Sequence, residues 1–199
     1  MKTSPKRAKK LSRQFYLQEA ETIAYNLVGK ILVRDDGRMG RIVETEAYNQ
    51  DDEASHTYKG KSKRNEAMFM EGGHLYVYFT YGCHFCANVV AGPFGYGSGV
   101  LLRAVEPLGG IPLMQQARGK EDIHQLCSGP GKLAQAFGID KKLYGIDLTS
   151  SSSVLSIKDD GFSGLVIATT RIGISKAQEK PWRFVLDESS FVSKKASGV

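Results

Sequence analysis

The sequence predicts an α+β fold (mixed α/β): one domain built on a largely antiparallel sheet flanked by helices. Three observations carry this. Strands paired through short turns fill the first half of the chain. Two helices then follow one another near the middle. Short strands return in the last third. Elements segregated in this way build antiparallel sheets and not βαβ units. A length of 199 residues fits one domain and a full hydrophobic core without a metal or disulfide staple.

Taken in order, residues 1–14 form a basic arm with Lys2, Lys6, Arg7, Lys9, Lys10 and Arg13 and no acid. Removing those six from the formal net charge of +6 leaves the rest of the chain neutral. The arm is expected to be flexible, with residues 15–199 as the domain proper. It reads equally as a solubilising terminus or as a non-specific tether to phosphates. Leu17, Ala20, Ile23, Ala24 and Leu27 recur at helical spacing, with Gly29 placed as a C-cap. Residues 31–34 and 41–48 pair as a hairpin through the turn 35–38. Residues 49–73 form a long polar loop, a kind that is usually functional or disordered. Aromatic residues crowd strand 75–79, Tyr81-Gly82 breaks it, and residues 85–90 return. A Gly-rich turn (92–99) leads to strand 100–105. One helix starts near Pro112. Another starts near Pro130 and stops at Gly138, with proline at the start and glycine at the stop. Strands are expected around 154–157, 165–172 and 183–186.

Composition narrows the function classes. No apolar run approaches the ~20 residues that span a bilayer, and no apolar segment follows the basic N-terminus as a secretory signal requires. The three cysteines, Cys83, Cys86 and Cys127, cannot all pair within one chain. They read as thiols of a cytoplasmic protein.

Alternation places Ile42, Glu44, Glu46 and Tyr48 on one face of a strand, with Val43, Thr45 and Ala47 on the core side. Two carboxylates and a tyrosine then share a face beside a long polar loop. A solvated face of an edge strand is the competing reading, and periodicity does not separate Glu44 from Glu46. Tyr76 and Tyr78 share one face of the next strand. Tyr81 stands at the tip of a turn. Such aromatics serve either as core or as platforms for bases. Cys83-His84-Phe85-Cys86 lacks the second ligand pair of a structural zinc site, and the motif of zinc deaminases is missing. No metal site is therefore expected. Ser128-Gly129-Pro130-Gly131-Lys132 opens a helix, where free N–H groups favour phosphate, but without the spacing of a Walker A loop.

Several of these segments together resemble the alkyladenine (3-methyladenine) DNA glycosylase family. They are Gly40 to Tyr48, Asp52 to His56, Arg64-Asn65 with Met68 to Met70, and Leu75 to Tyr78 with Tyr81-Gly82, Phe85-Cys86 and Asn88. Val100 to Ala104 with Glu106 to Leu108, Leu126 to Pro130, Arg171 to Ile174 and Lys180 to Phe184 extend the match from the first helix to about residue 193. The resemblance implies a single domain with a curved antiparallel sheet. It also implies a monofunctional enzyme that flips a damaged purine, alkylated or deaminated, out of duplex DNA. The enzyme hydrolyses the N-glycosidic bond without a cofactor and starts base excision repair.

Carried over, the resemblance implies Glu46 as the base that activates water, with Arg103 and the backbone carbonyl of Ile172 holding that water. It implies Tyr48, His56 and Tyr78 as walls of the base pocket and Tyr81 as the intercalating wedge. Asn88 is implied as the residue that crowds the exocyclic amine of normal guanine. Arg64, Gly82, Cys83, His84 and Lys132 are implied as phosphate or DNA contacts. The implied partner is double-stranded DNA containing damaged purines, met by a monomer in the cytoplasm of a prokaryote, at its chromosome. Two departures stand out: a slightly short, lysine-bearing loop between His56 and Asn65, and Gly131 where the family pattern has serine. A DNA-binding module without chemistry and an amine-using glycosylase-lyase are competing classes. The presence of Glu46 and Arg103 speaks against the first. The lack of a lysine in the pocket strands speaks against the second.

Overall fold

The computed structural model describes residues 8–195. The elements in order are β1 (Lys9–Lys10), α1 (Arg13–Tyr16), α2 (Ala20–Leu27), β2 (Ile31–Arg34), β3 (Met39–Tyr48), β4 (Leu75–Thr80), β5 (His84–Val90) and β6 (Gly99–Gly109). There follow α3 (Ile111–Arg118), α4 (Pro130–Ala136), β7 (Leu155–Asp159), β8 (Val166–Thr169) and β9 (Arg183–Leu186). The strands form one curled antiparallel sheet in the order β1-β7-β2-β3-β6-β5-β4, and β9 joins β3 to β8. This is the expected α+β class, with the helices outside the sheet.

The helical stripe forms as expected from Ala20 onward: Ala20, Ile23, Ala24 and Leu27 are buried. The helix does not start at Leu17, however. The chain makes a separate turn, α1, that ends at buried Tyr16. The reason is a competing donor: Gly92 N–H donates to the Tyr16 carbonyl at 2.9 Å, so that oxygen is not free for the next helical turn. Gly72 permits the approach, since a Cβ there would sit 2.0 Å from the same oxygen.

The sequence placed residues 1–14 in a flexible arm. Its first seven residues lie outside those described, but the rest is tied down. Lys9 and Lys10 pair with Asp159 and Lys158. Arg13 binds Asp147 at 2.6 Å and also reaches Thr149 and the Gly72 carbonyl.

The long 49–73 loop is ordered. Thr57 donates to Gly97 O, and Asn65 donates to His56 O and Gly60 O. A 3-10 turn, Glu66–Phe69, buries Ala67, Met68 and Phe69 against Tyr76 and Val90. The main core lies on the other side, where α2 and α4 cover Ile42, Leu75, Leu102, Val105 and Leu133.

β3 is not an edge. Its first half pairs with β2, its second half with β9, and β6 runs along its other side. That overturns the solvated-face reading of its carboxylates. A bulge between Ile42 and Glu44 also shifts the alternation. Ile42 therefore joins the core with Ala47, instead of sharing a face with Glu44 and Glu46.

Candidate active site

Past the bulge, β3 presents Glu44, Glu46 and Tyr48 to the side away from α2, while Thr45 donates to Ala24 O of that helix at 2.8 Å. Glu44 and Glu46 are both 0% exposed. Each buried carboxyl therefore needs hydrogen-bond partners around it.

Glu46 has three donors. Oε1 accepts the backbone N–H of Ile172 at 2.7 Å. Oε2 accepts the Tyr48 hydroxyl at 2.8 Å and Arg103 Nη1 at 3.0 Å. Ile172 thus meets Glu46 through its amide rather than its carbonyl. Burial first, then the Glu46 charge, pushes the Tyr48 hydroxyl well above its ordinary pKa, so it stays a donor.

Glu44 lies deeper in a charged knot. Its Oε1 accepts Arg103 Nε at 2.8 Å, Arg183 Nε at 2.7 Å and Ser193 Oγ at 2.8 Å, and its Oε2 accepts the Ser193 N–H. Burial raises the Glu44 pKa, but Arg103, Arg183 and the Ser193 amide outweigh it. The group titrates below the ordinary carboxylate range. For Arg103, burial is outweighed by Glu46 and Glu44, and its pKa rises. Sequence patterning offered no sign of Ser193, which arrives from the chain's last described turn.

Above Glu46 opens a cleft of about 450 Å³, lined by Tyr48, His56, Tyr78, Asn88, Arg103 and Ile172 among others. That size is ordinary for a small-molecule pocket. Its aromatic wall comes from alternation in β4. Tyr76 and Tyr78 stack at 5.5 Å, and the His56 ring meets Tyr78 edge-on at 4.5 Å. His56 Nδ1 lies 3.1 Å from the Tyr76 hydroxyl. Solvent reaches His56 through the cleft, yet burial first, and then the Arg64 charge, lowers its pKa below the usual histidine value. Burial pushes Tyr76 up to about 12. Asn88 faces Tyr76 across the β4–β5 ladder and donates to its carbonyl at 3.4 Å.

A support behind the cleft escaped sequence reasoning. A strand was expected to continue to residue 172, but β8 ends at Thr169. Arg171 turns inward instead. It binds Asp52 with both Nη atoms, and both side chains are fully buried. It also donates to Ala47 O at 3.0 Å and Ala177 O at 3.2 Å. Its guanidinium lies 4.7 Å from the Tyr48 ring centroid and 5.2 Å from that of Trp182. The available signal was Arg171, a charge opening the otherwise apolar Ile172-Gly173-Ile174 run; Asp52, inside the polar 49–73 loop, gave none.

Tyr81 stands at the β4–β5 tip, 84% exposed, in a left-handed conformation (φ 50°) with Gly82 beside it (φ 66°). That backbone is uncommon for a residue with a side chain. Gly82, Cys83 and His84 share the exposed tip, and Arg64 and Lys132 are exposed as well. Cys83 is exposed while Cys86 is buried. Gly131 admits the tip closely: a Cβ there would lie 2.9 Å from His84 Cγ. Among the described residues, no helix is long and apolar enough to cross a membrane.

Comparison with known proteins gives a consistent result. A family model described as methylpurine-DNA glycosylase matches residues 14–190. A protein of Carboxydothermus hydrogenoformans named "Putative 3-methyladenine DNA glycosylase" is 47% identical over 189 residues, 93% of this chain and 99% of its own length. Proteins with the same name from Chlorobaculum parvum and Agrobacterium fabrum are each 47% identical. The first match covers 93% of this chain and 91% of the relative, the second 92% of both.

Proposed function

The chain belongs to the methylpurine-DNA glycosylase family and is a DNA glycosylase, and from that premise we propose that it flips damaged purines out of duplex DNA and hydrolyses their N-glycosidic bonds with a water activated by Glu46. The observation that carries this reading is Glu46 itself: a fully buried carboxylate, held by three donors, directly beneath an aromatic cleft.

A carboxylate offers about four lone-pair positions. Three are occupied, and the one left is on Oε1, beside Ile172. An ordered water at that position could also meet the Ile172 carbonyl and Arg103. As the N-glycosidic bond breaks, its electron pair leaves with the base and positive charge builds on the sugar, as in glycoside hydrolysis. Glu46 stabilises that charge and accepts the proton as the water oxygen bonds to C1′. A cationic alkylated base departs as a neutral purine and needs no acid. The deaminated base hypoxanthine, and ethenoadenine, fall within the same pocket reading.

The walls suit a flat, electron-poor base. Tyr48, His56 and Tyr78 offer ring faces and edges, which favour a cationic purine by stacking and cation–π attraction. Asn88 at the pocket's end would crowd the exocyclic amine of guanine. Flipping costs a few kcal/mol, and a large exposed side chain in the vacated gap recovers part of that. Tyr81 has the exposure and the tight turn for it. Arg64, Lys132 and the Gly82–His84 backbone, all exposed, serve in this reading as phosphate contacts. In this reading a monomer works at the chromosome in a prokaryotic cytoplasm.

The test is Glu46→Gln under single turnover with damaged duplex. Base release should fall by at least about 100-fold, the usual weight of a general base, while damaged-DNA binding persists. Near wild-type release would sink the assignment.

A further inference from the structure

We propose that the buried Asp52–Arg171 pair sets how strongly the pocket favours cationic over neutral bases, by controlling the net charge behind the Tyr48 ring. The inference rests on the proposed pocket reading and adds to it a specificity-determining pair outside the cleft lining.

Arg171 lies behind Tyr48, 4.7 Å from the ring centroid, in a fully buried setting. A cation on one face of an aromatic ring draws the ring's electron density toward itself. It also repels a second cation stacked on the other face through a medium of low effective dielectric. An unscreened Arg171 would therefore work against the very bases that an aromatic pocket ought to favour. Asp52 removes the conflict. Its two oxygens bind both Arg171 Nη atoms, so the pair behind the ring carries no net charge. Two other opposite-charge pairs border the cleft: Lys176 binds Glu53 at its rim at 3.2 Å, and Arg103 binds Glu46. Glu46 and Arg103 face each other at the Tyr48 hydroxyl end, and Lys180 sits over Trp182, 4.1 Å from its centroid.

The pair also ties together three segments beside the pocket. Arg171 donates to Ala47 O, between Glu46 and Tyr48, and to Ala177 O in its own loop. Asp52 begins the segment that carries His56. A purely mechanical role would follow from these contacts alone. Mechanical loosening lowers release of all lesions together, whereas a charge effect separates them by sign.

The experiment measures single-turnover release of 7-methylguanine, cationic in the nucleotide, and of hypoxanthine, neutral, from matched duplexes. Wild type is compared with Asp52→Asn, Arg171→Met and the double variant, all with Glu46 intact. Asp52→Asn leaves a net cation behind Tyr48. Its 7-methylguanine to hypoxanthine ratio should fall at least about fivefold, the scale of a unit charge a few ångströms beyond the ring. Arg171→Met leaves a net anion, and its ratio should rise above wild type. The double variant should return toward the wild-type ratio although its absolute rates are low. If Asp52→Asn does not fold, the rise in Arg171→Met decides alone. Equal losses on both lesions in every folded variant would overturn the proposal and leave the pair structural. Failure of the wild type to release either base would overturn the underlying pocket reading instead, so the two failures are distinct.

Discussion

Glu44 and Glu46 stand two residues apart on β3, both fully buried, yet they occupy regions of opposite character. Around Glu44, four hydrogen bonds from Arg103, Arg183 and Ser193 occupy the carboxylate. Around Glu46 there are three, and the donors Tyr48, Arg103 and Ile172 themselves line the cleft. The first carboxylate carries four bonds, three of them on Oε1, and is sealed under the chain's last described turn. The second keeps one acceptor position on Oε1, beside the Ile172 amide that lines the cleft. The difference teaches that burial and charge pairing do not mark a reactive group by themselves. What sets Glu46 apart is that all three of its donor residues line the cleft, whereas Arg183 and Ser193 around Glu44 do not.

The comparison can be broken most directly through stability. Glu44→Gln leaves two buried guanidinium groups without their shared anion, and removing one partner of a buried pair typically costs 3–5 kcal/mol. Urea unfolding should show a loss of about 3 kcal/mol for Glu44→Gln. The loss for Glu46→Gln should be smaller, because Arg103 keeps its bond to Glu44. Equal losses would mean that the two sites do not differ in this way.

An acid titration sharpens the contrast next. The Glu44 pKa is depressed in the folded protein, while an unfolded glutamate titrates near about 4.3. Its contribution to stability is thus fully present above that value and is lost as pH falls through the lower folded pKa. Wild type should lose more stability than Glu44→Gln between about pH 5 and pH 3. Parallel pH profiles would contradict the depressed pKa.

The smallest expected effect concerns Tyr48. Tyr48→Phe removes one donor from Glu46 and keeps the ring over Arg171. Release of base should fall by about tenfold, the worth of one hydrogen bond to a charged group, with little change in the unfolding midpoint. A loss as large as that of Glu46→Gln would shift the critical role from the carboxylate to the hydroxyl.

Much of the fold was legible because periodicity reports local burial. The strands of both hairpins, the proline-started helix at Pro130 and the stripe from Ala20 to Leu27 all formed where residue spacing put them. The failures were non-local. Nothing in residues 41–48 shows that β9 will arrive from more than 130 positions away to make β3 an interior strand. Nor does Leu17 reveal that Gly92 will claim the carbonyl next to it. In the site, alternation brought Glu46 near Tyr48 and paired Tyr76 with Tyr78. It could not choose between the two glutamates, because that choice depends on Arg183 and Ser193. Arg171 and Asp52 escaped for the same reason: their partnership spans 119 residues and has no period.

The close approach of Gly131 to His84 has a consequence for how this surface can vary. The two positions share one volume, so a side chain at 131, such as the serine of the family pattern, requires a smaller or displaced residue at 84. Substitutions there are contingent on one another: the order in which they occur decides whether each is tolerated. Because position 84 belongs to the turn that carries Tyr81, such an exchange would re-aim the exposed tip while leaving the buried carboxylates untouched. The exposed tip proposed to meet DNA can therefore vary through paired changes, independently of the carboxylates buried beneath the cleft.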